Sequence, residues 1–167
     1  MTKIFSSGGP NFPKDEDDLK NRLAKIAEGL PDQRDNIKPF VIPALELFRD
    51  CGLIKKENIE ILHRKSFVWT EENSWGQKIQ RKMDMNPIGG VLRREGLLMY
   101  DDGGNRRYYY DGRDIIFVLC EGTKYYLSND WYSKEKPRPT KNIFYNWLAK
   151  KAWAACEAKW AEDKKIR

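Results

Sequence analysis

Between Met85 and Gly112 the sequence reads MNPIGGVLRREGLLMYDDGGNRRYYYDG, and its punctuation leaves the backbone few options. Asn86 is a good N-cap, and Pro87 suits the first helical position, where its missing N–H is not needed. Gly96 is a natural helix stop, so a helix over Pro87–Glu95 has barely more than two turns. Leu97 to Tyr100 then reads as a strand, DDGGN as a turn, and Arg106 to Tyr110 as the returning strand of a hairpin. Gly89 and Gly90 fall in the first turn of the helix, at a cost of about 1 kcal/mol per glycine. Two readings account for them. They strip away side chains so that uncapped N–H groups at the helix start can approach a phosphate, or they let a neighbouring helix cross closely.

The rest of the chain supplies partners for that unit. Residues 1–14 are Gly-, Ser- and Pro-rich and read as a flexible arm. Asp15 to Gly29 predicts a helix with acidic residues in its first turn and Leu19, Leu23 and Ile26 on one side, followed by a polar linker to Asn36. Ile37 to Ile54 predicts a second helix, starting near Pro39, kinked or restarted at Pro43 and closed by Gly52, with an apolar set broad enough for a central core helix. A short third helix is expected over Glu57–Arg64, an extended segment over Ser66–Thr70, and a helix capped by Asn73 from Ser74 to about Met83. Ile115–Cys120 and Tyr125–Ser128 form a second hairpin. SKEKPRPTK is an extended linker, and Asn142–Lys165 a long last helix with Phe144, Trp147, Leu148, Lys151, Ala155 and Trp160 along one side.

The order helix, short helix, helix, glycine-tipped hairpin is that of a winged helix-turn-helix. The expected fold is therefore α+β: a winged helix-turn-helix core over residues 37–130, an N-terminal helix and linker over 15–36, an extra β-hairpin, and a basic linker with a long C-terminal helix over 131–167. Such a core sets a helix N-terminus against base edges or phosphates in a groove about 12 Å wide. Arg93 and Arg94 on the short helix and Asn105, Arg106 and Arg107 on the hairpin are the candidate nucleic-acid contacts, together with Asn86, Gly89 and Gly90. Lys78, Arg81 and Lys82, on the preceding element, would reach the backbone. Adjacent strand residues point to opposite faces, so Arg106 and Arg107 share a ligand only if the tip bulges. The bland alternative for each cation is a solvated surface charge.

At these residues the chain resembles a known family. Asn86-Pro87-Ile88-Gly89, followed by Leu92-Arg93-Arg94-Glu95-Gly96-Leu97-Leu98, is similar to the N-x-x-G … L-K/R-K/R-x-G-L-L signature of the N-terminal winged-helix domain of Mrr-type restriction endonucleases. The P-x-x-x-P-A-L-x-L-F pattern of Pro39–Phe48 is similar to that family's first helix. The likeness covers roughly Ile37–Tyr110. It departs from the pattern in a spacing from Asn86 to Gly96 that is about one turn shorter, and in Pro87, where the family usually has a basic residue. No nuclease domain follows, so the resemblance implies a DNA-binding fold without cleavage chemistry.

Charge and composition bear on the partner. The 167 residues carry a formal net charge of +6, and the stretch from Trp131 onward, with ten basic and four acidic side chains, accounts for all of it. Duplex DNA is the expected partner, with the tail adding non-specific affinity. Three cysteines, Cys51, Cys120 and Cys156, lie far apart and odd in number, which points to buried free thiols in a reducing, cytoplasmic setting. No apolar run reaches membrane-spanning length, so no membrane partner is expected. Asp114, Glu121 and Lys124 give D…E-x-x-K, one residue out of register for a metal-dependent nuclease, and His63 is the single histidine. No enzyme activity, metal or cofactor is expected. Tyr108, Tyr109 and Tyr110 either stack on a base or pack across the sheet against Tyr125 and Tyr126. Trp147, Trp153 and Trp160 on the last helix fall on more than one side, which suggests docking on a protein partner or a second subunit. A protein-binding inhibitor or adaptor of a host nucleic-acid enzyme, of the phage anti-defence or anti-CRISPR type, is the alternative to a DNA-binding module, because fold alone does not decide function.

Overall fold

The computed structural model describes residues 11–32, 35–60, 62, 67–83, 87–102, 106–128 and 138–166. Among them lie five helices, α1 (Glu16–Glu28), α2 (Lys38–Asp50), α3 (Lys56–Glu60), α4 (Pro87–Arg94) and α5 (Lys141–Ile166). Six strands, β1 (Phe67–Glu72), β2 (Lys78–Met83), β3 (Leu98–Asp101), β4 (Arg106–Tyr110), β5 (Ile115–Cys120) and β6 (Lys124–Tyr126), form two small antiparallel sheets, β1-β2 and β3-β4-β5-β6. The chain is of the α+β class.

The helix starts follow from local chemistry. Asp15 caps α1 by accepting the Asp18 N–H at 2.8 Å, and Glu16, Asp17 and Asp18 complement the positive end of the helix dipole. Thr140 begins α5, its hydroxyl accepting the Ile143 N–H at 3.2 Å. Pro43 does not break α2, which runs unbroken from Lys38 to Asp50. The bond that Pro43 forfeits is the one to the Pro39 carbonyl in the first turn, and burial of Val41, Ala44, Leu45, Leu47 and Phe48 holds the helix together around it. Helix α3 spans Lys56–Glu60; residues 61, 63 and 64 of its expected range, His63 included, lie outside the described residues.

One expected element is of the wrong type. The segment 74–83 is not a helix: it contributes a turn and strand β2, paired with β1 in a register running from Phe67 opposite Met83 to Glu72 opposite Lys78. Asn73 caps a turn instead, its side-chain oxygen accepting the N–H groups of Trp75 at 3.0 Å and Gln77 at 2.8 Å. Gly76 takes φ +76°, which closes the turn. A helix over this segment would have had Ile79 and Met83 as its only apolar anchors beyond Trp75, too few to bury a face.

One core holds most of the molecule together. Leu19, Leu23 and Ile26 of α1, the apolar face of α2, Ile88, Val91 and Leu92 of α4, and Phe144, Trp147, Leu148, Ala152 and Cys156 of α5 meet one face of the larger sheet. That face carries Tyr109, Phe117, Leu119 and Tyr125, and Tyr109 stacks on Phe117 at 5.2 Å between ring centroids. The opposite face carries a smaller cluster of Tyr108, Ile115, Val118, Cys120 and Tyr126. All six residues of β5 are buried. The outer edge of β6 is covered at Tyr125, whose carbonyl accepts the Ile37 N–H at 2.6 Å and whose N–H reaches the Asn36 side chain at 3.2 Å. In α5 the buried stripe runs through Ala152 and Cys156, while Lys151 is exposed, which corrects its expected place on the apolar side. The last helix is thus part of the main core, packed on α1, α2 and β5.

Candidate nucleic-acid interface

Helix α4 is anchored by Ile88, Val91 and Leu92, all fully buried. At about 100° per residue these three point one way, which turns Gly89, Gly90, Arg93 and Arg94 to the opposite side. The outward face of the helix is therefore two glycines and two arginines. A Cβ at Gly90 would meet nothing within 4 Å, so no neighbouring helix of the described chain requires this glycine. Arg93 and Arg94 are exposed, and among the described residues neither meets a carboxylate. Arg93 reaches the Met99 sulfur of β3 at 3.9 Å. Gly96, at φ +77°, ends the helix and turns the chain into β3.

Strand register sorts the hairpin cations. Arg107 and Tyr109 share the sheet face that meets α4, while Arg106 and Tyr108 share the other. Burial raises the Tyr109 hydroxyl above its ordinary pKa, and the positive charges of Arg107 and Arg93 oppose that shift, so both guanidinium groups lie near the tyrosine. Arg93, Arg94 and Arg107 thus border one side of the molecule with the two glycines, and Arg106 is directed away from it. The only register shift in these strands lies between Tyr109 and Tyr110, too far along to turn Arg106 round. Each hairpin arginine also has an acidic partner: Arg106 with Asp102 at 2.9 Å and Arg107 with Asp101 at 3.7 Å. The basic surface expected of the hairpin is therefore partly neutralised.

The other expected contacts fall elsewhere. Asn86 and Asn105 lie outside the described residues, as does the side chain of Lys82. Lys78 and Arg81 stand on the separate β1–β2 hairpin rather than on a helix, and Arg81 pairs with Glu71 at 3.2 Å on an open surface. Tyr108 and Tyr109 are buried across the sheet, Tyr109 against Phe117 and Tyr125, which is the packing reading of the tyrosine run. Trp147 is buried against Phe48 at 5.0 Å. Trp153 and Trp160 are half-buried, edge to face at 6.0 Å, with the Trp160 indole N–H donating to the Pro13 carbonyl at 3.1 Å. The aromatic excess of the last helix is used largely in its own fold.

Sequence reasoning missed Trp75, the most exposed aromatic among the described residues, at the tip of the β1–β2 hairpin. The signal was present in Asn73 and Gly76, three residues apart, read as a cap rather than a turn. It also missed the character of β3, where Leu98 and Tyr100 are exposed on the Tyr108 face of the sheet, away from Arg93 and Arg107, and Met99 lies on the arginine side.

The residues weighed for catalysis do not converge. Asp114 and Glu121 flank β5 at its two ends, roughly 20 Å apart along six residues, and Lys124 pairs with Glu121 in the turn at 3.4 Å. Folding does bring two cysteines together: the sulfurs of Cys51 and Cys156 are 3.7 Å apart in the core, while Cys120 lies on the far face of the sheet. The Cys51 thiol is pushed up by its hydrogen bond to Cys156 and by burial. Among the described residues no group of three His, Cys, Asp or Glu side chains could hold a metal ion, and no helix is long and apolar enough to cross a membrane. Compared with protein-family models, with curated proteins and with solved structures, the chain matches none.

Proposed function

We propose that this chain is a non-enzymatic duplex-DNA-binding protein in which α2, α3, α4 and the β3–β4 hairpin act as a winged helix-turn-helix. The observation that supports this reading is the outward face of α4. A helix face of half-buried Gly89 and Gly90 with exposed Arg93 and Arg94 combines open space at Gly90 with two guanidinium groups that meet no carboxylate among the described residues, the pairing that phosphate oxygens and guanine edges favour. Contact of α3 with both α2 and α4 is compatible with the helix-turn-helix arrangement. The β1–β2 hairpin, inserted between α3 and α4, is a departure from its simplest form.

Charge reversal of Arg93 and Arg94 to glutamate tests the proposal. Binding to a fluorescein-labelled duplex is expected to fall at least tenfold at low salt. The slope of log affinity against log salt should shrink by roughly 2, one for each phosphate that an arginine no longer neutralises. Unchanged retention and an unchanged slope would sink it. A protein-docking reading is favoured by one specific observation, the apolar strand β3 with Leu98 and Tyr100 exposed on the sheet face of Arg106, whose charge Asp102 pairs at 2.9 Å. Under that reading the wild-type chain would show no salt-dependent retention on duplex.

A further inference from the structure

The described side chains of the β1–β2 hairpin, residues 70–81, belong to neither apolar cluster of the core. Its strands pair with each other along six residues, and among the described residues no other element packs closely on them. Its tip is nevertheless well built. Asn73 donates its N–H to the Gln77 carbonyl at 2.9 Å, accepts the Gly76 N–H at 3.0 Å on its own carbonyl, and clamps Trp75 and Gln77 through its side chain. A turn fixed this firmly holds the Trp75 indole 85% exposed. Displaying a large apolar ring on a rigid support is unfavourable in water and becomes useful when the ring meets a partner, because the ordering cost has already been met.

Position and charge indicate which partner. β2 ends at Met83 and α4 begins at Pro87, so the hairpin leaves the body next to the N-terminal end of the helix whose outward face carries Gly90 and Arg93. Six residues at about 3.3 Å each give an arm of roughly 20 Å, and a major groove about 12 Å wide admits a two-stranded ribbon. Lys78 and Arg81 are exposed along the returning strand on opposite faces of the ribbon, Arg81 paired with Glu71 at 3.2 Å and Lys78 opposite Glu72. A narrow arm of mixed charge with an aromatic ring at its end, leaving the chain beside α4, suits a duplex groove, where the ring stacks at a base step.

We propose that the β1–β2 hairpin is a second DNA-contacting arm, with Trp75 stacking on a base or sugar of the duplex engaged by α4. The proposal rests on the DNA-binding reading above and adds to it a contact that the helix and the β3–β4 hairpin do not supply. The test compares full-length wild type, Trp75→Ala, Trp75→Phe and the Arg93→Glu/Arg94→Glu double variant on one fluorescein-labelled 20-base-pair duplex across a salt series. Trp75→Ala is expected to weaken binding roughly 5- to 150-fold, the span of one base–aromatic stack, and to leave the salt slope unchanged because no phosphate contact is removed. Trp75→Phe should recover most of the affinity. All Trp75 variants should keep the wild-type melting temperature, since the ring lies off the core. If Trp75→Ala binds like wild type while the arginine variant fails, the arm is not a contact and the DNA-binding reading stands. If wild type itself is not retained at low salt, both fall together.

Discussion

At the scale of single residues, the glycine pair in α4 is the sharpest case. Both readings of Gly89 and Gly90 could be framed from the sequence, but only the folded chain could separate them, because a helical wheel does not say what lies across from it. At Gly90 the space is open, so a methyl group there would clash with nothing in the free protein. Gly90→Ala is therefore expected to stabilise the fold by about 0.5–1 kcal/mol, raising Tm by roughly 1–4 °C, while lowering duplex affinity. Calorimetry and anisotropy on the same preparation check it, and a stabilised variant with undiminished affinity would remove close approach as the reason for the glycine. A second residue carries a pH signature. The Lys14 backbone N–H, with help from Arg22, holds the Asp18 carboxyl below its ordinary value of 3.8 against the opposing effect of burial. A depressed carboxylate stabilises the fold above its unfolded pKa, and that contribution disappears as pH falls through the folded value. Asp18→Asn should thus lower Tm at pH 7, and the gap from wild type should narrow below about pH 4 and close on further acidification. Arg22 also reaches Asp50 of α2 at 3.4 Å, so this network ties two helices together.

Elements were legible where a strong pattern coincided with its punctuation. Helix α1, the Gly52 stop after α2, the bounds of α4 and the strands β4 and β5 all follow from caps, glycines and apolar spacing. Of the β1–β2 hairpin the extended segment Ser66–Thr70 was legible and overlaps β1, but the returning strand was not, because Lys78–Met83 carries few apolar residues and Asn73 serves helix caps and turns equally well. The exposure of the hairpin's outer part, residues 70–81, sets its dynamics. Amide hydrogen exchange should be fast across residues 70–80, where opening needs only the breakage of the hairpin's own ladder. Exchange should be slowest in Ile115–Cys120, where every side chain is buried and opening approaches global unfolding. Comparable protection in the two segments would show that something covers the arm, and would contradict the exposure of Trp75.

At the scale of the whole molecule, charge and core are not separable in the way the sequence implies. The excess of six positive charges resides from Trp131 onward, which invites the idea of a detachable basic tail. The structure makes α5 a wall of the main core, with Phe144, Trp147, Leu148, Ala152 and Cys156 buried and Phe48 and Phe117 packed against them. Each of the larger side chains is worth about 2–5 kcal/mol on truncation, so their joint removal is as large as the roughly 5–15 kcal/mol that stabilises an ordinary domain. A chain ended near Trp131 is expected to lose its cooperative thermal transition and its dispersed amide spectrum, and any failure of it to bind DNA would report unfolding rather than missing charge. The informative variant keeps the helix and removes its exposed cations: Lys150→Gln, Lys151→Gln, Lys164→Gln and Lys165→Gln together, leaving the buried Lys159 and its Asp163 partner intact. Its Tm should stay within a few degrees of wild type. If α4 carries the affinity, duplex binding should fall less than in the Arg93→Glu/Arg94→Glu variant at the same salt. A larger fall would transfer the principal DNA contact from α4 to the outer face of α5.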